Sequence, residues 1–258
     1  MSDSIVGLQA PAQVQREDLN SELLQNRLAF VLHNVLNKYE CAAVIRAAEG
    51  VGFKPATVRT GFKTMEYQPD FRVGDNSYLT DVDIRETIFQ RIRPHLPPKF
   101  GFGKLVGLNE RMTVLRYGPG GFFGEHRDGT YITADDSAIS FITVQLYLNE
   151  GFEGGETTFF PDGLMRAGDK PEDRRRVAMM PRTGSAVIFE HKILHEGSLV
   201  QSGVKFTLRA DVLYSRYYPP TGTDFDRVNG KTDEPTESGF PPISLSERQS
   251  LWSRCAVQ

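Results

Sequence analysis

The sequence predicts an α+β protein in which helices lie on one face of an antiparallel barrel. Three observations carry that expectation. Amphipathic helical spacing is confined to the part of the chain before residue 95. From Met112 onward the apolar period falls from near four to two, in residues 112–117, 140–148, 186–189 and 204–213. Glycine and proline separate these runs, as turns between short strands require. Helices first and strands afterwards is the order of an α+β fold.

Taken in order, residues 1–20 are polar, with Pro11 and several glutamines, and are expected to form a flexible N-terminal arm. The apolar run Ala29, Phe30, Val31 and Leu32, followed by Val35 and Leu36, reads as a buried strand, with His33 packed inside it. Asn37 is placed to cap a helix through Ala42, Ala43, Ile45 and Ala48, which Gly50 and Gly52 stop. Residues 53–78 are rich in turn formers and carry Arg72, Asp75, Asn76 and Tyr78, a composition that suits a loop beside a site. Thr80 with Asp83 reads as a capping box for a second helix, in which Ile84, Ile88 and Ile92 share a face until Pro94. His95, at that helix end, is expected to be structural.

Strand parity then separates two faces. In residues 204–212 one face is Val204, Phe206, Leu208, Ala210 and Val212, and the other is Lys205, Thr207, Arg209 and Asp211. In residues 140–148 the apolar set Ile142, Val144, Leu146 and Leu148 opposes Thr143, Gln145 and Tyr147. Polar faces of an ordinary sheet point to water. If helices cover the apolar faces instead, the polar faces line a pocket in which Tyr147, Lys205 and Arg209 converge on an anion. The charged loop of residues 162–177, with Arg174, Arg175 and Arg176, reads as a solvated face between strands.

The chain has 258 residues, enough for a substantial core. Its net charge of -3, with cations scattered, offers no basic face, so nucleic acid is not expected as a partner. Cys41 and Cys255 are too few for a disulfide scaffold and wrongly spaced for zinc. The first residues lack a basic start and an apolar core, and no apolar run reaches the length of a membrane span; the expectation is a cytoplasmic protein without a membrane partner.

The chemistry concentrates in residues 117–129 and 195–209. In a strand, positions i and i+2 share a face, so His126 and Asp128 present an imidazole and a carboxylate to one point. Such a pair also arises as a turn aspartate beside a surface histidine. A remote imidazole, with His195 as the candidate, completes a facial 2-His-1-carboxylate triad, the ligand set of non-haem iron(II).

At these residues the chain resembles the iron(II)- and 2-oxoglutarate-dependent oxygenases of the prolyl 4-hydroxylase type, from about residue 107 to 214. The pieces stand in the family order: Tyr117 with the following Gly-Pro-Gly, His126 and Asp128, Tyr147 and Asn149, then Gly154, Gly155, Glu156, Thr157 and Phe159. The stretch from Gly184 to Phe189 and His195-Glu-Gly with Gly203 and Lys205 complete the set. The resemblance implies a double-stranded β-helix, or jelly-roll core, with the N-terminal helices packed on one sheet. It implies that His126, Asp128 and His195 bind iron(II), and that Lys205, ten residues after the distal histidine, binds the far carboxylate of 2-oxoglutarate. Tyr117 and Tyr147 stand where the family places tyrosines beside that cosubstrate. Arg209 shares the face of Lys205, and serves either the same carboxylate or an acidic group of the substrate. His191 is a rival third ligand, but only His195 carries the Glu-Gly and the spacing to lysine.

The same resemblance implies hydroxylation of an aliphatic C–H bond by dioxygen, with release of succinate and carbon dioxide and with ascorbate as reductant. The oxygen ligand at Asp128 leaves no coordination position for halide. The substrate is left open between a prolyl residue in a peptide or protein and a small molecule such as a free amino acid. A non-catalytic jelly-roll metal-binding protein is the alternative from another class. Arg72, Asn76 and Arg111 are candidates for substrate contact. The expected organisation is an arm (1–20), helical support with substrate-side loops (21–106), a catalytic core (107–218) and a C-terminal tail (219–258) anchored by Leu251 and Trp252. The sequence leaves the oligomeric state open.

Overall fold

A computed structural model describes residues 13–19, 24, 27–60, 64–165, 169–170 and 173–216. The start of the expected arm and the expected tail with its Leu251-Trp252 anchor lie outside the described residues. The chain opens with β1 (Gln15–Asp18), β2 (Ala29–His33) and α1 (Lys38–Val51). The short strands β3 (Lys54–Pro55), β4 (Val58–Arg59), β5 (Met65–Glu66) and β6 (Arg72–Val73) follow, then β7 (Asp75–Leu79) and α2 (Val82–Ile92). Next come β8 (Lys99–Phe100), β9 (Gly103–Leu108), β10 (Met112–Tyr117), β11 (Phe122–His126), β12 (Ala138–Tyr147), β13 (Glu153–Gly154) and β14 (Thr157–Phe159). The last strands are β15 (Val177–Met179), β16 (Ala186–Glu190), β17 (His195–Gly197), β18 (Val200–Ser202) and β19 (Lys205–Ser215).

Two antiparallel sheets make the double-stranded β-helix. The larger runs β1-β2-β16-β12-β19-β10-β7-β3, with β9 also paired to β19. The smaller runs β15-β14-β17-β11-β6. The apolar parity of β12 and β19 is buried: Ile142, Val144, Leu146, Leu208, Ala210 and Val212 share one cluster with Val44 and Ala48 of α1 and Ile84, Ile88 and Ile92 of α2. The polar parity of the same strands is buried too, with Thr143, Lys205, Thr207 and Asp211 each no more than 5% exposed. A sheet buried on both faces has a polar interior only where polar side chains meet partners or ligands.

Local chemistry explains the helix starts. The Asn37 side chain accepts from the amides of Tyr39 and Glu40, and the Glu40 carboxylate accepts from the Asn37 amide, a reciprocal box. Glu40 also takes both terminal nitrogens of Arg91, at 2.8 Å each, so the two helices are tied by a fork. For α2 the expected cap at Thr80 is corrected. Asp81 is the N-cap, its carboxylate accepting from the Ile84 amide at 2.9 Å. The carboxylate one residue later is the group that meets the third helical amide.

Two further expectations change. Gln15–Asp18, inside the segment read as a flexible arm, pairs with β2, from Gln15 opposite His33 to Asp18 opposite Phe30. The larger sheet recruits β1, β2, β7 and β9, so the division at residue 107 cuts through one hydrogen-bonded unit.

Candidate metal and cosubstrate site

His126 ends β11 and His195 opens β17, and the two are direct partners across the ladder. A register shift between Phe123 and His126 turns the strand end, and Asp128 follows two residues on. One ligand atom from each of His126, Asp128 and His195 lies within 4.8 Å of the others. The imidazoles are held in one orientation. Nδ1 of His126 is 2.7 Å from the Gly124 carbonyl, and Nδ1 of His195 is 3.0 Å from that of Ile193. Each Nδ1 therefore carries the proton and donates, which leaves both Nε2 lone pairs for a cation. Phe123 stacks on His126 at 3.6 Å between ring centres, while Phe189 meets His195 edge-on at 4.6 Å.

Asp128 is held from two sides. Thr143 Oγ1 donates to its Oδ2 at 2.5 Å, and Arg209 Nη2 lies 3.2 Å from its Oδ1. Burial opposes ionisation, but the Arg209 guanidinium beside it, with the Thr143 donor, holds the carboxyl far below the usual carboxylate range. Burial, with His195 adding to it, pushes His126 down to about 3, and burial lowers His195 as well. Neutral imidazoles and an ionised carboxylate are the protonation states that a divalent metal needs. Replacing Thr143 by valine keeps the volume and removes the donor to Asp128. Metal affinity is expected to fall roughly ten- to a hundredfold, as when other outer partners of metal ligands are lost; titration with zinc against a chromophoric chelator measures it.

Lys205 faces the same interior from the larger sheet. Tyr117 is its direct partner on β10, and Thr207, two residues on, is opposite Tyr147. The ammonium group sits 5.8 Å from both tyrosine ring centres and donates to the Gly155 carbonyl at 2.6 Å. Gly155 has φ +69, and a Cβ there would stand 3.2 Å from Lys205 Cδ, so the close approach suits glycine. No carboxylate lies within ion-pair distance of Lys205 among the described residues, and burial pushes its pKa down to about 8. The Tyr147 hydroxyl donates to Thr157 Oγ1 at 2.8 Å. A buried cation with spare donors, ringed by two tyrosines, suits one end of a dianion.

Arg209 stands elsewhere than expected. It is not beside Lys205 but between two carboxylates, with Nη2 3.2 Å from Asp128 and 2.9 Å from Asp211. Four residues along a strand carried its guanidinium past the lysine to the metal ligand. Asp211 continues the chain of charges to His191, whose Nε2 is 3.4 Å away. His191 is thus outside the triad, behind it, and its backbone carbonyl accepts from the Asp128 amide at 3.1 Å.

Among the substrate candidates, Arg72 Nη2 donates to Asn76 Oδ1 at 3.1 Å, and its guanidinium lies 4.3 Å from the Phe123 ring centre. Arg111 is not brought to the triad: it is exposed and lies over Tyr78 at 4.6 Å. Arg174 overturns the reading of its loop as a solvated face. Its side chain is 5% exposed, it clamps Glu125 with both terminal nitrogens at 2.5 and 3.0 Å, and it packs on Phe160. Glu125 adjoins His126, so this loop braces the ligand strand. A run of arginines in a polar loop gives no sign of which one turns inward.

The family model of the 2OG-Fe(II) oxygenase superfamily matches residues 112–210. That stretch holds the His126, Asp128 and His195 cluster and Lys205, and is similar to the oxygenase domain of that superfamily, which is named for iron(II) and 2-oxoglutarate. Prolyl 4-hydroxylase 1 of Arabidopsis thaliana is 28% identical over 192 residues, covering 69% of this chain and 65% of that protein. The chain thus spans just under two thirds of that relative's length. The curated relatives that the chain resembles are named as prolyl 4-hydroxylases, the second a putative one of Acanthamoeba polyphaga mimivirus, 23% identical over 184 residues and covering 69% of this chain and 70% of that protein. In fold it is similar to a prolyl hydroxylase from Trichoplax adhaerens solved with a hypoxia inducible factor peptide fragment. That match has a TM-score of 0.52 at 13% identity, and covers 74% of this chain and 86% of that one. The viral collagen prolyl hydroxylase of Paramecium bursaria Chlorella virus-1, solved with 2OG, has a TM-score of 0.49 at 22% identity, covering 74% and 98%. No helix among the described residues is long and apolar enough to cross a membrane.

Proposed function

We propose that the chain hydroxylates an aliphatic C–H bond of an organic substrate, consuming 2-oxoglutarate and dioxygen and releasing succinate and carbon dioxide. The observation that carries this is the pairing of two unlike ligand-binding points: three potential metal-ligating atoms close together, and on the facing sheet a buried lysine without an acid partner among the described residues. In this reading His126, Asp128 and His195 hold the iron, and Lys205 takes the far carboxylate of 2-oxoglutarate between Tyr117 and Tyr147. Iron with its cosubstrate supplies the activation of dioxygen. The chain's own part is positional. Carbonyls of Gly124 and Ile193 fix the imidazole tautomers, Thr143 and Arg209 fix the carboxylate, and Phe123, Phe159 and Phe189 crowd the histidines with apolar surface that excludes water. The names of the relatives favour a prolyl residue of a peptide as the target, and a small-molecule target uses the same centre.

Replacing His126 and Asp128 together by alanine is expected to abolish ferrous iron binding and succinate formation while the far-ultraviolet circular dichroism stays that of a β-rich fold. Succinate formed at the wild-type rate by that variant would sink the assignment. Assays with iron, ascorbate and air, with and without proline peptides and free amino acids, then report which class of compound stimulates turnover.

A further inference from the structure

Arg72 differs from the other cations around the triad. Lys205 is in place for the cosubstrate, and Arg209 is neutralised by Asp128 and Asp211. Arg72 is 9% exposed, and no acid lies within ion-pair distance of it among the described residues. A guanidinium offers five N–H donors. Asn76 Oδ1 takes one at 3.1 Å, the Thr57 carbonyl takes another at a long 3.4 Å, and Nε is buried with no partner. Asn76 holds one edge of the fork and Phe123 supports its face at 4.3 Å, so the orientation is set before any ligand arrives. The same Phe123 ring carries His126 at 3.6 Å, and the pairing of Phe123 with Arg72 across β11 and β6 fixes the arrangement in the backbone.

A desolvated cation with idle donors is costly unless an anion completes it. We propose that Arg72 is the anchor for a carboxylate of the substrate to be hydroxylated, received through the fork that planar carboxylates match. The inference rests on the oxygenase reading and narrows its substrate class to acids: a free amino acid, or a peptide presenting a carboxylate near the reacting carbon. A neutral internal prolyl segment leaves Arg72 unmet.

The test uses pairs of compounds that differ only in carboxylate against carboxamide: L-proline and L-prolinamide, N-acetyl-L-proline and its amide, and one proline tripeptide with free and amidated C-terminus. Isothermal titration into the zinc-loaded full chain, with and without 2-oxoglutarate, measures each. In at least one pair the acid is expected to bind ten times or more tighter than the amide, and Arg72→Gln is expected to bring the acid down to the level of the amide, with Arg72→Lys intermediate. Equal affinity within every pair of the wild-type protein, no binding by any of them, or a preference that survives Arg72→Gln would each overturn the proposal. Titration of 2-oxoglutarate alone into the same zinc-loaded protein tests the oxygenase reading separately, since that anion is assigned to Lys205.

Discussion

Replacing Arg209 by methionine is expected to destabilise the protein by about 3–5 kcal/mol, the range for removing one partner of a buried charge pair, and to weaken metal binding as well. The side chain is 26% exposed, and its guanidinium is shared by Asp128 and Asp211, which are 10% and 6% exposed. Without it two buried carboxylates face each other with no cation between them. The penalty arises from the acids left behind rather than from the attraction lost. A second change therefore separates the contributions. Asp211→Asn in the Arg209→Met background removes the surplus charge and is expected to recover a large part of the stability, while metal affinity stays low because Asp128 has still lost its brace. Urea unfolding of the four proteins in the cycle provides the stability values. If the single variant unfolds at the wild-type midpoint, the ion pairs carry no weight and the positioning role of Arg209 is lost with them.

Replacing Lys205 by methionine is expected to move stability and binding in opposite directions. Its pKa is pushed from a lysine's usual 10.5 to about 8 by burial, so the folded chain binds this proton less tightly than the unfolded chain does. The penalty of the buried charge is fully present below about pH 8, shrinks as the pH rises from there to about 10.5, and is absent above; the shift corresponds to about 3 kcal/mol. At pH 7 the methionine variant, free of cosubstrate, should melt higher than the wild type by up to that amount. It should also require at least tenfold more 2-oxoglutarate for half-maximal turnover, because the far carboxylate loses its counter-charge. For the wild type the same ionisation predicts a Michaelis constant for 2-oxoglutarate that is flat below about pH 8 and climbs up to tenfold per unit above it. A variant that melts lower and binds 2-oxoglutarate normally would move the anion site away from Lys205.

Much of this site was legible because strand periodicity is short. Parity alone put Lys205, Thr207, Arg209 and Asp211 on one face, and the burial of Lys205, Thr207 and Asp211 shows that face turned inward. The i, i+2 spacing of His126 and Asp128 brought the two to one point even though the strand ends at His126 and its register shifts just before, between Phe123 and His126. Partner choice was not legible. Whether Arg209 meets Lys205's ligand or Asp128 depends on which residues of other strands stand opposite it, here Thr113 and Gln145, and on the reach of a long side chain. Arg174 was hidden for the same reason: burial of one arginine in a charged loop is decided by Glu125 and Phe160, which are distant in sequence. The helix cap moved by one residue, from Thr80 to Asp81, since both are good capping types and only the backbone path distinguishes them.

The two imidazoles belong to the smaller sheet, whereas Lys205, Thr143 and Arg209 belong to the larger one. The span between the cation-binding point and the anion-binding point is therefore a property of how far apart the sheets stand, maintained by side chains such as Phe159 and Phe189, which meet at 5.1 Å between ring centres. Loops at the rim can lengthen, shorten or change sequence without altering that span. The architecture ties reactivity to the spacing of the two sheets: a methylene added or removed deep between them detunes the chemistry for every molecule alike.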